Sequence, residues 1–246
     1  MLKNDTALIT GAAGGIGKKT IEIFSQNGAN IIACIRKENK EFEKFCGDLE
    51  TKYNNQIRIF AFDFNEDEKI ASNLENISKS YKKIDILVNN AGEVTNELYL
   101  MMTEKKLREI YEINFFAQSK IMKHVIKKML THKSGSIINL ATSSVFEANI
   151  GKSAYASSKA ALISLSEVVS REVGRNNIRV NVVSPGLTDT KMLIKSSSEE
   201  IVKEKVKEIS LKRIADPNEI ANVILFLASN LSSYITGQVI KVDGGL

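Results

Sequence analysis

The chain has 246 residues, of which 43% are hydrophobic and 26% are charged, and its formal net charge at pH 7 is +5. This composition is ordinary for a globular protein, and no apolar run approaches the roughly 18 residues that a membrane helix needs. The N-terminus MLKNDTALIT lacks the apolar core of a secretory signal. We therefore expect a cytoplasmic protein that does not act at a membrane.

The composition gives little support for a metal site or for nucleic-acid binding. The chain holds two cysteines, Cys34 and Cys46, and two histidines, His124 and His132, which are too few and too scattered for a site of several Cys/His ligands. We predict no metal site, with a site made mostly of carboxylates as the remaining alternative. Basic residues occur as scattered pairs without a dense block, so we do not expect nucleic-acid binding.

Short β-branched runs alternate along the chain with segments long enough for helices. We predict seven buried strands at 6–10, 30–35, 57–62, 84–89, 136–141, 178–184 and 238–242. Helices are predicted over 15–27, 39–54, 66–80, 103–131 and 154–175, near 199–208, and from Pro217, where Asp216 is placed as the N-cap. This alternation indicates an α/β fold, a doubly wound parallel sheet with helices on both faces.

The chain contains no stretch that reads as a linker. Its two prolines, Pro185 and Pro217, lie outside any Pro/Gly/Ser-rich segment. We predict a single domain over 1–246. The polar segment 196–210 is expected to belong to a mobile, partly helical flap near 187–212.

Glycines crowd the turn between the first strand and the first helix, at Gly11, Gly14, Gly15 and Gly17. Glycine permits a tight turn and lets a pyrophosphate approach bare backbone, and the helix that follows points free N–H groups at the phosphates. The spacing differs from G-x-G-x-x-G and is weak by itself, so a plain turn is the alternative. The position after the first strand favours a dinucleotide site that includes Gly11, Gly15, Ile16 and Gly17.

The end of the second strand bears on which dinucleotide binds. An NAD site places a carboxylate there, whereas an NADP site offers arginine to the 2′-phosphate. The sequence reads ACIRKEN, with Arg36 and Lys37 and no acidic residue before Glu38. We therefore predict NADP(H) rather than NAD(H), with Arg36 as the phosphate ligand. The alternative is that Arg36 is only an exposed residue at a strand end.

Among the six tyrosines, only Tyr155 has a lysine four residues later, Lys159. Positions four apart share one face of a helix. A nearby ammonium stabilises the phenolate, so that a phenol with an ordinary pKa of about 10 can exchange its proton closer to neutral pH. One such pair can arise by chance, and its meaning depends on the motifs around it.

Those motifs have the order and spacing of a known family. They are TGAAGGIG (10–17), NNAG (89–92), Asn114 in EINFFA, YASSK (155–159) and SPGLTDT (184–190). Together they resemble the short-chain dehydrogenase/reductase family over essentially the whole chain, and the tail 213–245 is most similar to that of bacterial 3-oxoacyl-[acyl-carrier-protein] reductases. The resemblance implies a Rossmann fold and a homotetramer.

The resemblance also implies roles for individual residues. Tyr155 would protonate the carbonyl oxygen, Lys159 would hold the nicotinamide ribose and lower the pKa of Tyr155, and Asn114 would fix a water that relays protons. The cofactor would further contact Asp63 at the adenine, Asn89, Ala91 and Gly92 along its middle, and Pro185, Thr188 and Thr190 at the nicotinamide amide.

One position departs from the family pattern. Most members carry a serine thirteen residues before the tyrosine, where this chain has Thr142. A threonine hydroxyl can donate the same hydrogen bond, although its methyl group is stiff and takes up room. Ser143 is the alternative, but on a strand end it would face the other side unless the chain bulges there. We therefore predict Thr142 as the catalytic hydroxyl and keep Ser143 open.

The substrate is less well defined by the sequence. We expect the acceptor pocket to contain Val94, Thr95, Val145, Phe146 and the apolar run 192–194, and we expect Lys133 and Arg175 to lie where an acidic acyl carrier protein would dock. The first hypothesis is an NADPH-dependent reductase of a 3-oxoacyl thioester in fatty acid synthesis. The second is a dehydrogenase of a sugar, polyol or other secondary alcohol, and the third is a non-catalytic dinucleotide-binding protein.

Overall fold

A computed structural model describes all residues from 1 to 246. Seven strands form one sheet in the order β3-β2-β1-β4-β5-β6-β7, and every neighbouring pair is parallel. The strands are β1 Thr6–Thr10, β2 Asn30–Ile35, β3 Ile57–Ala61, β4 Ile86–Asn89, β5 Gly135–Leu140, β6 Ile178–Pro185 and β7 Val239–Val242. The prediction of a doubly wound parallel sheet is confirmed.

The helices follow the predicted order with two differences. They are α1 Gly15–Gln26, α2 Lys40–Tyr53, α3 Asp67–Ser80, α4 Glu104–Tyr111, α5 Ala117–His132, α6 Ser144–Glu147, α7 Ser153–Val173, α8 Lys191–Ser196, α9 Glu199–Glu208 and α10 Pro217–Ala228. The segment predicted as one helix over 103–131 is interrupted by a π-helical turn at Glu112–Phe116. The short helices α6 and α8 were not predicted. Asp216 caps α10 as expected, in a capping box with Glu219.

The five central strands, β2, β1, β4, β5 and β6, are buried on both faces, which explains why they are nearly continuous apolar runs. The prediction that all seven strands are buried is wrong for the edge strands β3 and β7, which are only partly buried. Alternate residues of one strand point to opposite faces: Ala7 and Ile9 belong to a core under α1, α2 and α10, whereas Leu8 belongs to a core under α3, α5 and α7. The two cysteines are buried as free thiols. None of the helices has the length and apolar character needed to span a membrane.

The strand order reverses between β1 and β4, which are neighbours although β2 and β3 lie between them in sequence. In open α/β sheets a crevice forms at this point, beyond the carboxyl ends of the strands. The glycine turn follows β1, and the NNAG sequence begins in β4. The topology therefore brings these two motifs to the same end of the sheet.

Candidate active site

A cleft of about 1290 Å³ opens at the carboxyl edge of the sheet. Its walls come from the glycine turn, the ends of β4, β5 and β6, the N-terminus of α7, and the flap that contains α8 and α9. A smaller pocket of about 130 Å³ lies at the ends of β2 and β3 and shares Gly11, Arg36, Ala91 and Gly92 with the cleft. The main cleft exceeds the usual size of a drug-sized ligand site, roughly 300–1,000 Å³, and can hold a dinucleotide together with a second molecule.

The glycine turn has the geometry of a phosphate site. Gly11 has φ +61°, and a Cβ there would lie 2.7 Å from Cα of Ala91, so no other residue fits without strain. Gly14 caps α1 without any side-chain hydrogen bond, which leaves the first backbone N–H groups of the helix for an anion. Gly15 and Ile16 line the cleft.

Gly17 was predicted to contact the cofactor, but in the structure it packs against the glycine turn. It does not line the cleft, and a Cβ at this position would lie 2.3 Å from the carbonyl oxygen of Gly11. The prediction that Gly17 contacts the cofactor is therefore corrected. Its small size lets α1 start close against the turn.

Asn90 was missed by the sequence analysis and joins β1 to β4 at the cleft. Its side-chain amide donates to the carbonyl oxygens of Thr10 and Gly11, at 3.0 and 3.1 Å. The Thr10 hydroxyl accepts from the backbone N–H groups of Asn90 and Ala91, both at 3.0 Å. The Asn-Asn pair in NNAG was the available signal, but it does not show which asparagine faces the cleft.

The predicted cofactor contact by Asn89 is corrected by the structure. Asn89 is fully buried and is absent from the cleft wall. Its side-chain amide donates to Oδ1 of Asn139 at 2.8 Å. Asn89, the last residue of β4, turns into the core, and Asn90, which follows the end of the strand, lines the cleft.

Arg36 lies at the end of β2, where both pockets meet. Its Nε donates to Oδ2 of Asp63 at 2.9 Å, and its Nη1 lies 4.0 Å from a carboxylate oxygen of Glu93. Partial burial raises the pKa of Asp63, but hydrogen bonds from the backbone of Asn65 and from Arg36 outweigh this, and the pKa lies below its usual value. Arg36 keeps 64% of its side chain exposed, so a phosphate can reach the guanidinium.

Tyr155 and Thr142 face each other inside the cleft. Tyr155 lies in the first turn of α7, and Thr142 follows the end of β5. Burial raises the pKa of Tyr155, and the interaction with the Thr142 hydroxyl lowers it by less, so the pKa lies above its ordinary value. The phenol therefore keeps its proton at neutral pH.

Lys159 lies one helical turn after Tyr155 on α7 and is held by the end of β5. The lysine is only 2% exposed, and its Nζ donates to the carbonyl oxygen of Leu140 at 2.7 Å. Burial without a carboxylate partner lowers its pKa from 10.5 to about 8. The ammonium is thus held by the end of β5, and desolvation dominates the pKa of the phenol.

Asn114 is held rigidly next to Lys159. It lies in the π-helical turn and is fully buried. Its Oδ1 accepts from the backbone N–H of Glu93 at 2.8 Å, and its Nδ2 donates to the Glu93 carbonyl at 2.9 Å and to the Ser158 hydroxyl at 3.1 Å. A Cβ on Gly92 would lie 3.3 Å from Asn114 Oδ1 and 3.5 Å from Lys159 Nζ. Both polar groups therefore border the same small space beside Gly92.

The choice of Thr142 over Ser143 assumed that the two residues lie on a strand end and face opposite sides. This assumption is wrong, because β5 ends at Leu140 and neither residue lies in a strand. Ser143 instead precedes α6, and its hydroxyl interacts with the carboxylate of Glu147. Burial raises the pKa of Glu147, but hydrogen bonds from Ser143, Lys205 and Asn149 bring it below its usual value. The Thr142 hydroxyl accepts from the backbone N–H of Ser144 at 3.3 Å, and of the two hydroxyls it is the one that acts on the pKa of Tyr155.

The flap covers the cleft from the side of β6. Pro185, Thr188 and Thr190 line the cleft, and Thr190 caps α8 by accepting from the backbone N–H of Leu193 at 3.5 Å. A Cβ on Gly15 would lie 2.7 Å from Cγ2 of Thr190. The flap therefore touches the glycine turn where the predicted cofactor site begins.

The expected substrate pocket is present only in part. Val94 and the run 192–194 line the cleft, whereas Thr95, Val145 and Phe146 do not. The ring of Phe146 packs under the amine of Lys241 at 4.3 Å. Lys133 and Arg175 are exposed at the ends of α5 and α7, outside the cleft.

Comparison with known proteins establishes the class. A family model described as enoyl-(acyl carrier protein) reductase matches residues 11–246. Together with relatives of known class that match over the full length, this shows that the chain belongs to the short-chain dehydrogenase/reductase family. It is an oxidoreductase of that family.

Three similar proteins show which kinds of oxidoreductase the chain resembles. The chain is 36% identical to the 3-oxoacyl-[acyl-carrier-protein] reductase FabG of Chlamydia muridarum, over 100% of this chain and 98% of that protein. It is 31% identical to an acetoacetyl-CoA reductase of an Acinetobacter species, over 100% of this chain and 99% of that protein. A solved structure from Beutenbergia cavernae, described as a candidate NAD(P)-dependent gluconate 5-dehydrogenase with NADP bound at low occupancy, superposes with a TM-score of 0.93 at 28% identity, covering 99% of this chain and 97% of that one.

Proposed function

We propose that this protein is an NADPH-dependent reductase that converts the ketone of a 3-oxoacyl thioester, most naturally one carried by acyl carrier protein, to a secondary alcohol. The observation that carries the proposal is the meeting of Tyr155, Thr142 and Lys159 in one cleft with the glycine turn. The similarity to 3-oxoacyl-[acyl-carrier-protein] and acetoacetyl-CoA reductases supports the choice of substrate.

The residues present fit a phosphorylated dinucleotide. Free N–H groups at the start of α1 suit a pyrophosphate, the bare backbone at Gly11 allows its close approach, and Arg36 suits a 2′-phosphate. When bound, the cofactor supplies the hydride for the reduction. Lys159 and the cleft-lining residues Ala91, Gly92, Pro185, Thr188 and Thr190 would hold its nicotinamide half.

The proton for the substrate oxygen comes from residues of the chain. Tyr155, whose pKa is raised by burial, stays protonated and can act as the general acid toward the substrate oxygen. Thr142 can donate a second hydrogen bond to the same oxygen and so stabilise the negative charge that develops there. We propose that Asn114 fixes a water in the space beside Gly92, from which a proton passes through Lys159 to Tyr155.

Replacing Arg36 with Ala should weaken NADPH binding about 10- to 100-fold, because a hydrogen bond to a charged group is lost, while NADH binding changes little. Dissociation constants from the fluorescence of the reduced cofactors measure both. Arg108→Ala is the matched control, since Arg108 is exposed and pairs with Glu104 on α4, outside the cleft. Equal losses of affinity for NADPH and NADH in Arg36→Ala would show that Arg36 does not bind the 2′-phosphate.

Thr142→Ala should lower kcat by about 10²- to 10³-fold, the usual effect of losing one donor to a developing oxyanion. Ser143→Ala should lower it far less, because that hydroxyl interacts with Glu147. Initial rates of NADPH oxidation at saturating cofactor compare the two variants. The reverse ranking would assign the substrate hydroxyl to Ser143.

NADPH oxidation with an acetoacetyl thioester tests the proposed function as a whole. A second candidate, a reductase or dehydrogenase of a sugar or polyol, draws support from the charged side chains of Glu147, Lys152 and Lys205 in the cleft wall. Turnover of polyols or sugars without turnover of the thioester would favour that candidate. Tight NADPH binding without any turnover would point to a non-catalytic protein.

We also propose a homotetramer, because apolar side chains around α4 and α5 lie exposed in the single chain. Leu100 is 93% exposed, Tyr99 72%, Met101 70% and Phe116 50%. Burial of this surface between subunits would be favourable. A light-scattering mass equal to the 27.3 kDa of one chain would contradict the tetramer.

A further inference from the structure

Glu93 lies, with its negative charge, beside the place where the 2′-phosphate of the cofactor is expected. It directly follows the NNAG sequence and lines the smaller pocket together with Arg36 and Asp63. Its backbone N–H and its carbonyl oxygen are both hydrogen-bonded to the side chain of Asn114. The backbone of Glu93 is thus fixed, whereas its side chain is 47% exposed and accessible to a ligand in the pocket.

The guanidinium of Arg36 lies between two carboxylates. Its Nε donates to Oδ2 of Asp63 at 2.9 Å, and its Nη1 lies 4.0 Å from Oε2 of Glu93. Because Asp63 occupies Nε, a phosphate that binds Arg36 has to use the two terminal nitrogens, one of which lies beside Glu93. A 2′-phosphate and the Glu93 carboxylate therefore approach the same donor.

The other basic residues near this site do not neutralise Glu93. Lys18 lines the main cleft, but its amine lies over the ring of Phe45, 5.4 Å from the ring centroid. Lys37 is exposed and lines neither pocket. Arg36 is the ion-pair partner of Glu93, so no second cation shields an incoming phosphate from this carboxylate.

The two dinucleotides interact differently with a carboxylate at this position. NADPH carries a phosphate monoester with a charge of about −1.5 to −2 near pH 7, which a carboxylate repels. NADH carries a neutral hydroxyl instead, which can donate a hydrogen bond to a carboxylate, as it does in sites that select NAD. The charge of Glu93 thus offsets part of what Arg36 contributes to the binding of NADPH.

We propose that Glu93 is a cofactor-specificity residue, whose carboxylate opposes the 2′-phosphate of NADPH at Arg36 and so narrows the preference for NADPH over NADH. This inference rests on the proposed function for the position of the 2′-phosphate, and it does not depend on the substrate. It adds a second determinant of cofactor choice, opposite in sign to Arg36, which follows β4 rather than β2.

The test measures the dissociation constants of NADPH and NADH, by cofactor fluorescence, for wild type, Glu93→Gln and Glu97→Gln. Glu97 lies on the same connection after β4 but lines neither pocket, so its variant is matched in charge and shape. Glu93→Gln should bind NADPH about 3- to 10-fold more tightly, the effect of one or two screened charge pairs, while its affinity for NADH changes little. The gain should nearly vanish at about 1 M salt, where the Debye length is about 3 Å.

Several results would overturn the inference. An NADPH affinity of Glu93→Gln equal to or below that of wild type would show that the carboxylate does not oppose the phosphate. An equal gain for NADH, or an equal gain in Glu97→Gln, would reveal a general effect of pocket shape or net charge. A gain that persists at about 1 M salt would not be electrostatic. Failure of the proposed function is seen separately, as absence of thioester turnover, because the binding measurements need no substrate.

Discussion

Tyr155→Phe should lower kcat by about 10²- to 10⁴-fold, the range that a positioned general acid contributes, while the dissociation constant of NADPH stays the same. The variant loses only the phenolic hydroxyl. The ring, which is half-buried in the cleft wall, remains to fill its place. Loss of turnover with intact cofactor binding is the result expected when a proton donor, and no binding contact, has been removed.

NADPH oxidation at 340 nm and cofactor fluorescence measure the two quantities on the same preparation. Tyr234→Phe is the matched control, because Tyr234 is fully exposed and lies outside the cleft, and it should behave as wild type. A Tyr155→Phe variant that keeps most of its turnover would remove Tyr155 from the mechanism. Parallel loss of NADPH binding would instead indicate that the cleft has been disturbed.

Lys159→Met should have two opposite effects, a fall in kcat of about 10²- to 10³-fold and a gain in stability of the cofactor-free protein at pH 7. The wild-type chain holds a buried ammonium whose pKa is lowered to about 8, which costs about 3 kcal/mol of folding free energy. Methionine has a similar shape and no charge. Loss of the hydrogen bond to Leu140 subtracts about 1 kcal/mol, so we expect a net increase of about 1–2 kcal/mol in the free energy of unfolding.

The gain should depend on pH in a defined direction. Below pH 8, Lys159 is protonated in both the folded and the unfolded chain, and the full cost is present. Between pH 8 and 10.5 the unfolded chain binds more protons, so the stability of wild type rises with pH. The difference between Lys159→Met and wild type should therefore be largest at pH 7 and shrink toward pH 10.

Urea denaturation at pH 7 and pH 9.5 measures this difference without cofactor. Lys123→Met, which replaces an exposed lysine of α5, serves as the control and should change stability little at either pH. A Lys159→Met variant less stable than wild type at pH 7 would show that the amine contributes favourable contacts beyond the one to Leu140. A gain independent of pH would show that it does not come from the buried charge.

The parallel sheet was predictable because its central strands are buried on both faces and therefore stand out as apolar runs between polar, helix-length segments. The active site was partly predictable for a related reason. Tyr155 and Lys159 lie on one helix, so that their spacing fixes their common face, and Gly11 occupies a conformation that glycine adopts most readily.

The remaining features depend on contacts that are distant in sequence. Which of Asn89 and Asn90 faces the cleft is set by where β4 ends. The pKa of Tyr155 depends on burial and on the interaction with the Thr142 hydroxyl, which comes from another part of the chain. The partner of Ser143 depends on the short helix α6, which local propensity did not predict.

A crystal structure of the protein with NADP⁺ would show whether Tyr155 delivers its proton beside a nicotinamide held in this cleft. We expect the pyrophosphate at the start of α1, the 2′-phosphate at Arg36, the nicotinamide ribose at Lys159, and the nicotinamide ring next to the Tyr155 hydroxyl. A cofactor bound with its nicotinamide away from Tyr155 and Lys159, or bound outside the cleft, would contradict this expectation.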